Sequence, residues 1–157
     1  MKDEEFKKLM KKDRYQVFLF SSPASVPFNF WVHTWFVTVN KGKVSRWEVL
    51  FRTMPRGSEC GHLYLNAFDS TRGVEVLPYY GWFFWKSKLI GYLEGKTNSV
   101  AEKMVRFLEN SPKNYPYCNE YSFLKANSNT FTQRVLDKFS KCECELPWNA
   151  FGKNYKD

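Results

Sequence analysis

"WVHTWFVTVNKGKVSRWEVLF", residues 31–51, carries the clearest strand signal in the chain. Two arms rich in β-branched and aromatic residues flank "NKGK", a polar, glycine-containing connection, which is the pattern of a β-hairpin. Along the first arm His33, Trp35, Val37 and Val39 alternate onto one face. A connection of two or four residues pairs Val39 with Val44 and His33 with Leu50, and makes Glu48 the diagonal neighbour of His33 on that face. A three-residue connection shifts the register by one and sends Glu48 to the opposite face.

Working outward, "YQVFLF" (15–20), "HLYLN" (62–66) and "FFWKSKLIGYLEG" (83–95) read as further strands, the last bent or bulged at Gly91. Residues 3–12 fit a short amphipathic helix with Phe6, Leu9 and Met10 on one side. "TNSVAEKMVRFLEN" opens a stronger one. Ser99 and Glu102 have capping-box spacing, and Val100, Ala101, Met104, Val105 and Leu108 share a face. A second clear helix spans about 128–139, and the ending "ELPWNAFGKNYKD" reads as extended, packed by Leu146, Trp148 and Phe151. Strands fill the first two thirds, so the expected class is α+β, a mainly antiparallel sheet packed with two or three helices. The expected organisation is a single domain over 1–157, with residues 1–14 a charged helix or arm and 15–157 the core.

At 157 residues the chain can bury roughly 70% of its unfolded surface around one core. With 19% aromatic residues it is far from the composition of a disordered chain. No apolar run is long enough to span a bilayer, and the charged start "MKDEEFKKLMKKDR" has no apolar signal core, so the expectation is a protein without a transmembrane segment, in the cytoplasm. The net charge of +8 is spread evenly: each half holds 12 basic and 8 acidic residues, or 12 − 8 = +4. Diffuse charge of this kind gives weak attraction to polyanions and marks no nucleic-acid site. Cys60, Cys118, Cys142 and Cys144 fit no common zinc pattern. The expectation is therefore four free thiols, no metal and no cofactor.

Chemistry concentrates at the start of the second clear helix. Asn127 is a good N-cap, which puts Ser128 in the first turn. Ser128, Phe131, Val135 and Phe139 fall on one helical stripe, so Ser128 faces the core or the sheet. A helix start also presents free backbone N–H groups able to hold a developing anion. The constellation to test is Ser128 as nucleophile, His33 as base and Glu48 as the group that orients the histidine. Asn127, Asn129, Trp35 and Tyr121 are the candidate binding residues around it. His62 opens a strand after a loop and reads as structural.

The segments "HTWFV", "WEVLF", "YPYCNEYSFLKANSNTF" and "LPWNAFGKNY", in this order over roughly residues 15–155, resemble an uncharacterised bacterial domain-of-unknown-function family. Ala126 and Asn154 depart from its pattern of proline and aspartate at these places. More distantly, "YSFLKANSNTFTQRVL" is similar to the Tyr-x-Leu-x-x-Asn-Cys-Asn-x-Phe segment of circularly permuted papain-like proteins. These include the lecithin:retinol acyltransferase group, the PPPDE peptidases and relatives of the NlpC/P60 hydrolases. There an early-strand histidine precedes a cysteine at a helix start. The resemblance implies a permuted papain-like fold, His33 in the general-base position and Ser128 in the nucleophile position.

Serine in place of cysteine changes the chemistry. A thiol titrates near pH ~8.5, and a helix start worth up to ~2 kcal/mol can help hold it as a thiolate. An alcohol is far less acidic, so serine must pass its proton to histidine during attack. Two readings follow. One is a non-catalytic module that binds a small molecule, peptide or lipid in the former cleft, with Tyr79, Tyr80, Trp82 and Trp85 as candidate aromatic contacts. The other is a serine-dependent hydrolase or acyltransferase acting on an amide or ester.

Overall fold

The computed structural model describes residues 1–24, 29–51, 57–74, 77–79, 83–140 and 142–156, with only the backbone of 77–79 and 83–85. The hairpin is the centre of the architecture. Strand β2 (Val32–Asn40) turns at Lys41 and Gly42 into β3 (Lys43–Val49). Both turn residues have positive φ, 47° and 91°, the requirement of a two-residue type I′ connection whose twist matches the strands. Val39 accordingly pairs with Val44 and Phe36 with Trp47.

Strand β1 (Tyr15–Pro23) pairs along the other edge of β2, and β8 (Lys88–Gly95) pairs with β1. Short strands β4 (Ser58–Cys60) and β5 (Leu63–Leu65) extend the sheet beyond β3. The result is a six-stranded antiparallel sheet ordered β4-β5-β3-β2-β1-β8. With four helices among the described residues, the class is α+β as the strand content implied. The bend expected at Gly91 is present as a register shift. Leu19 faces Gly91, while the next residue, Phe20, faces Leu89.

The run 83–95 is two strands where one was expected. Phe83–Trp85 forms β7, paired with β6 (Leu77–Tyr79) in a separate two-stranded ribbon, and β8 begins only at Lys88. The side chains of Tyr79, Tyr80, Trp82 and Trp85, the candidate aromatic contacts, lie outside the described residues.

Both faces of the sheet are covered. On one face Tyr15, Val17, Leu19, Phe36, Trp47 and Val49 pack against helices α2 (Val100–Glu109) and α4 (Ser128–Lys138). Helix α2 buries Ala101, Met104, Val105 and Leu108 of the face read from the sequence, with Val100 partly exposed, and Ser99 accepts a hydrogen bond from the Glu102 N–H at 3.2 Å. Its Glu102 carboxylate reaches Asn98 N rather than Ser99 N, at 2.7 Å, so the capping box is offset by one residue. A short helix α3 (Ser111–Asn114) follows.

On the opposite face Phe18, Phe20, Trp35, Val37 and Val39 form a second cluster. It is closed by Phe6 of α1 (Asp3–Leu9), which is fully buried and meets Phe18 and Phe20 edge-to-face at 5.0 Å each. The charged N-terminal segment therefore packs one apolar anchor onto the sheet.

Two further expectations are corrected. Cys60 and Cys118 are joined in a disulfide across 58 positions of sequence. The β4–β5 turn lies on the 117–119 connection, with His62 N–H donating to Cys118 C=O at 2.7 Å, and this contact brings the two thiols together. No spacing pattern reveals such a pairing. The C-terminal segment is also a chain of turns, and while Leu146 is buried, Trp148 is 84% exposed. A turn closed by Ala150 N–H on Pro147 C=O at 3.0 Å swings the indole outward.

Candidate active site

Ordinary polar contacts fasten the N-terminus of α4 to the start of β2. Asn127 is the N-cap: its side-chain oxygen accepts from the N–H of Asn129 at 2.9 Å and of Thr130 at 3.3 Å. Thr34, wholly buried on β2, has its hydroxyl within hydrogen-bond reach of Asn129 Oδ1 at 3.0 Å and Thr132 Oγ1 at 2.9 Å. Asn129 Nδ2 donates to Val32 C=O and to Phe151 C=O, both at 2.9 Å. This network joins helix, strand and C-terminal segment.

That fastening brings Ser128 Oγ to 3.0 Å from His33 Nδ1. On the far side of the ring, Nε2 is 3.2 Å from Glu48 Oε2. An ionised carboxylate only accepts, so Nε2 carries the hydrogen, and in the neutral imidazole Nδ1 is then the acceptor for the Ser128 hydroxyl. The ring is used in the opposite sense to the chymotrypsin-type triad, where Nε2 faces the serine. Ser128 and Glu48 are buried, 4% and 1% exposed, and the His33 side chain is 18% exposed. The ring edge thus borders solvent while its partners do not.

Glu48 has a second partner that the sequence reading did not single out. Arg46, two residues earlier on the same face of β3, is 3% exposed. Its Nη2 donates to Glu48 Oε2 at 3.1 Å, and Nε lies 2.9 Å from Oε1. Nη1 donates to Arg72 C=O at 2.7 Å, and the guanidinium sits over the Trp35 ring at 4.5 Å. Burial pushes the Glu48 carboxyl up, but the His33 hydrogen bond and the Arg46 charge outweigh it and hold the group below the usual carboxylate range. Burial likewise lowers Arg46, against the pull of Glu48. Period-two spacing of Arg46 and Glu48 was the available signal, since it puts both on one face of the strand.

The remaining candidates are distributed differently. Trp35 is fully buried, stacked on His33 at 5.6 Å with 23° between planes, and on Phe20 from the other side. It supports the histidine ring from below. The Asn127 and Asn129 amides are taken up by the network just described. Tyr121 lies half-buried outside this arrangement, its ring 5.4 Å from His62 and 5.3 Å from Phe51. Among the first backbone N–H groups of α4, those of Asn129 and Thr130 serve the cap; the Ser128 N–H meets no acceptor among the described residues.

Among the described residues no three His, Cys, Asp or Glu side chains gather as a metal site, and no helix is long and apolar enough to cross a membrane. A family model described as a protein of unknown function, DUF3750, matches residues 14–155. The chain belongs to the DUF3750 family. Its match begins just before β1 and takes in every residue of the Ser128–His33–Glu48 arrangement. No curated protein and no solved structure matches this DUF3750 chain.

Proposed function

We propose that the chain is a serine-dependent hydrolase or acyltransferase acting on an amide or ester, with Ser128 as nucleophile, His33 as general base and Glu48 as the residue that orients His33. The observation that carries this reading is the continuous line Ser128 Oγ–His33–Glu48, with contacts of 3.0 and 3.2 Å. Three groups from three separate elements meet there in the order that nucleophile, base and orienter require.

In the proposed reaction Ser128 Oγ attacks the substrate carbonyl carbon while its proton passes to His33 Nδ1. The imidazolium that forms is balanced by Glu48, and the carbonyl oxygen, now negative, is held by the Ser128 N–H. Collapse expels the alcohol or amine, which takes the proton from Nδ1 and leaves an acyl group on Ser128. Water, or a second alcohol or amine, then attacks that ester with His33 again as base. Arg46 neutralises Glu48 without touching the histidine, and Trp35 holds the plane of the ring. Asn127 and Asn129 act as positioning residues. Tyr121, whose ring lies against Phe51, His62 and Phe123, is the one named candidate outside this network.

The likeness to permuted papain-like proteins belongs to the same proposal. It rests on chain order, an early-strand histidine before a helix-start nucleophile, with serine as the departure. A single domain over 1–157 is part of it, supported by Phe6 anchoring α1 on the sheet. The competing reading, a non-catalytic binding module, is favoured by one observation, the 4% exposure of Ser128. Turnover of a panel of activated esters and amides separates the two. The enzyme reading expects Ser128→Ala and His33→Ala each to lower kcat about 10²–10⁴-fold with folding intact. Turnover absent in the native chain, or unchanged in both variants, favours the binding module.

A further inference from the structure

Beyond the Ser128 site, we propose that Cys142 and Cys144 are a redox-active dithiol that closes to a disulfide and thereby tightens the C-terminal strap over the start of α4. Their Sγ atoms lie 2.8 Å apart, inside ordinary non-bonded sulfur contact. The backbone is already folded for closure: Cys142 N–H donates to Phe139 C=O at 2.8 Å, and Cys144 N–H to Cys142 C=O at 2.7 Å. Cys144 is seated against β8 at the bulge. A Cβ on Gly91 would stand 2.5 Å from its sulfur, so glycine makes the room for this thiol.

The same tail runs on from the pair to the site. Leu146 is buried, and beyond it Phe151 C=O accepts from the side-chain amides of Asn127 and Asn129, at 3.1 and 2.9 Å. Gly152 C=O accepts from Thr130 Oγ1 at 2.7 Å. A closed ring at 142–144 fixes one end of this strap; the other end holds the N-cap of the helix that carries Ser128.

Closure needs an oxidant, and a low-molecular-weight disulfide suffices. One thiolate attacks it and releases one thiol; the second cysteine then displaces the other. Two cysteine thiols become one disulfide, and one disulfide becomes two thiols. Burial, helped by the neighbouring sulfur, pushes the Cys142 thiol up to about 12. The Cys60–Cys118 bridge provides an internal reference in the same chain.

The test is equilibration of the full chain in graded mixtures of oxidised and reduced glutathione, acid quench, alkylation and peptide mapping. Expected is interconversion of Cys142 and Cys144 as a unit while Cys60–Cys118 stays closed. Oxidation should also slow amide exchange at Asn129, Thr130 and Phe131 on the order of tenfold. A Cys142→Ser/Cys144→Ser chain should exchange at the reduced rate in every buffer. The proposal is overturned if both thiols stay free wherever Cys60–Cys118 is closed, if they bond between chains, or if oxidation leaves exchange unchanged. None of these readouts depends on Ser128 being reactive.

Discussion

Glu48 sits between a histidine and an arginine, and its two neighbours do different things for it. His33 Nε2 meets the carboxylate at 3.2 Å, while Arg46 supplies the opposite charge that makes burial tolerable. Removing the arginine therefore hurts more than removing an exposed one would. Arg46→Ala leaves a buried carboxylate unpaired and should cost about 3–5 kcal/mol, read as a lowered denaturant midpoint at unchanged m. The pH dependence has a definite sign. The folded Glu48 carboxyl titrates below its unfolded value, so its stabilisation is complete above the ordinary carboxylate range, near pH ~4.3. It is lost as pH falls through the folded value. The Tm advantage of the native chain over Glu48→Gln should accordingly shrink on acidification through and below that range. A constant difference would mean that Glu48 is not held low.

At the scale of elements, the decisive junction is α4 against β2. Asn127 caps the helix, and its amide reaches Ser122, Phe123 and Phe151 carbonyls at 3.3, 2.9 and 3.1 Å. The strap can approach this closely because residue 152 is glycine: φ is +85°, and a side chain there would collide with Asn127 and with Lys125 C=O. Asn127→Ala loses the cap, worth about 0.5–2 kcal/mol, and leaves buried carbonyls without a donor at about 1–3 kcal/mol more. The combined loss should appear in thermal unfolding, and exchange of the α4 first-turn amides should speed up more than that of α2.

The junction also marks how far the sequence could be read. Hairpin register was legible up to the length of one turn, and that single choice decided whether Glu48 could reach His33 at all. Helix α4 was legible from its cap and stripe, which gave Ser128 its place. Neither signal could say that helix start and strand start would coincide, because the contacts that join them, Thr34 to Asn129 and Asn129 to Val32 and Phe151, are long-range and made by ordinary polar residues. Arg46 escaped notice for a similar reason: an arginine on a strand reads as an exposed charge until its partner is known to be buried.

For the whole molecule, the sheet has a helical layer on one face and a thinner cover on the other. That thinner cover depends on Phe6, whose burial turns a highly charged N-terminal segment into part of the fold. Phe6→Ala should cost about 3–5 kcal/mol, more than substitutions at the exposed neighbours Lys7 and Lys8, and chemical denaturation of the variants checks it. The loss should spread to the site, since Phe20 and Trp35 of the same cluster are the layers beneath His33. The disulfide is the feature of the whole molecule that composition misjudged. Four cysteines without a zinc pattern read as idle thiols, yet the fold joins Cys60 to Cys118 through the packing of one strand turn on a distant connection.

The central claim is that Ser128 is a nucleophile made reactive by His33, and its most direct test is covalent. The native chain is incubated with an alkyl fluorophosphonate, then weighed intact and mapped by peptide. Expected is a single adduct on Ser128, formed at least about a hundredfold more slowly in His33→Ala and absent in Ser128→Ala. An unlabelled native chain, or labelling of Ser128 at the same rate without His33, would contradict the claim and leave the arrangement as a helix cap and its buried support.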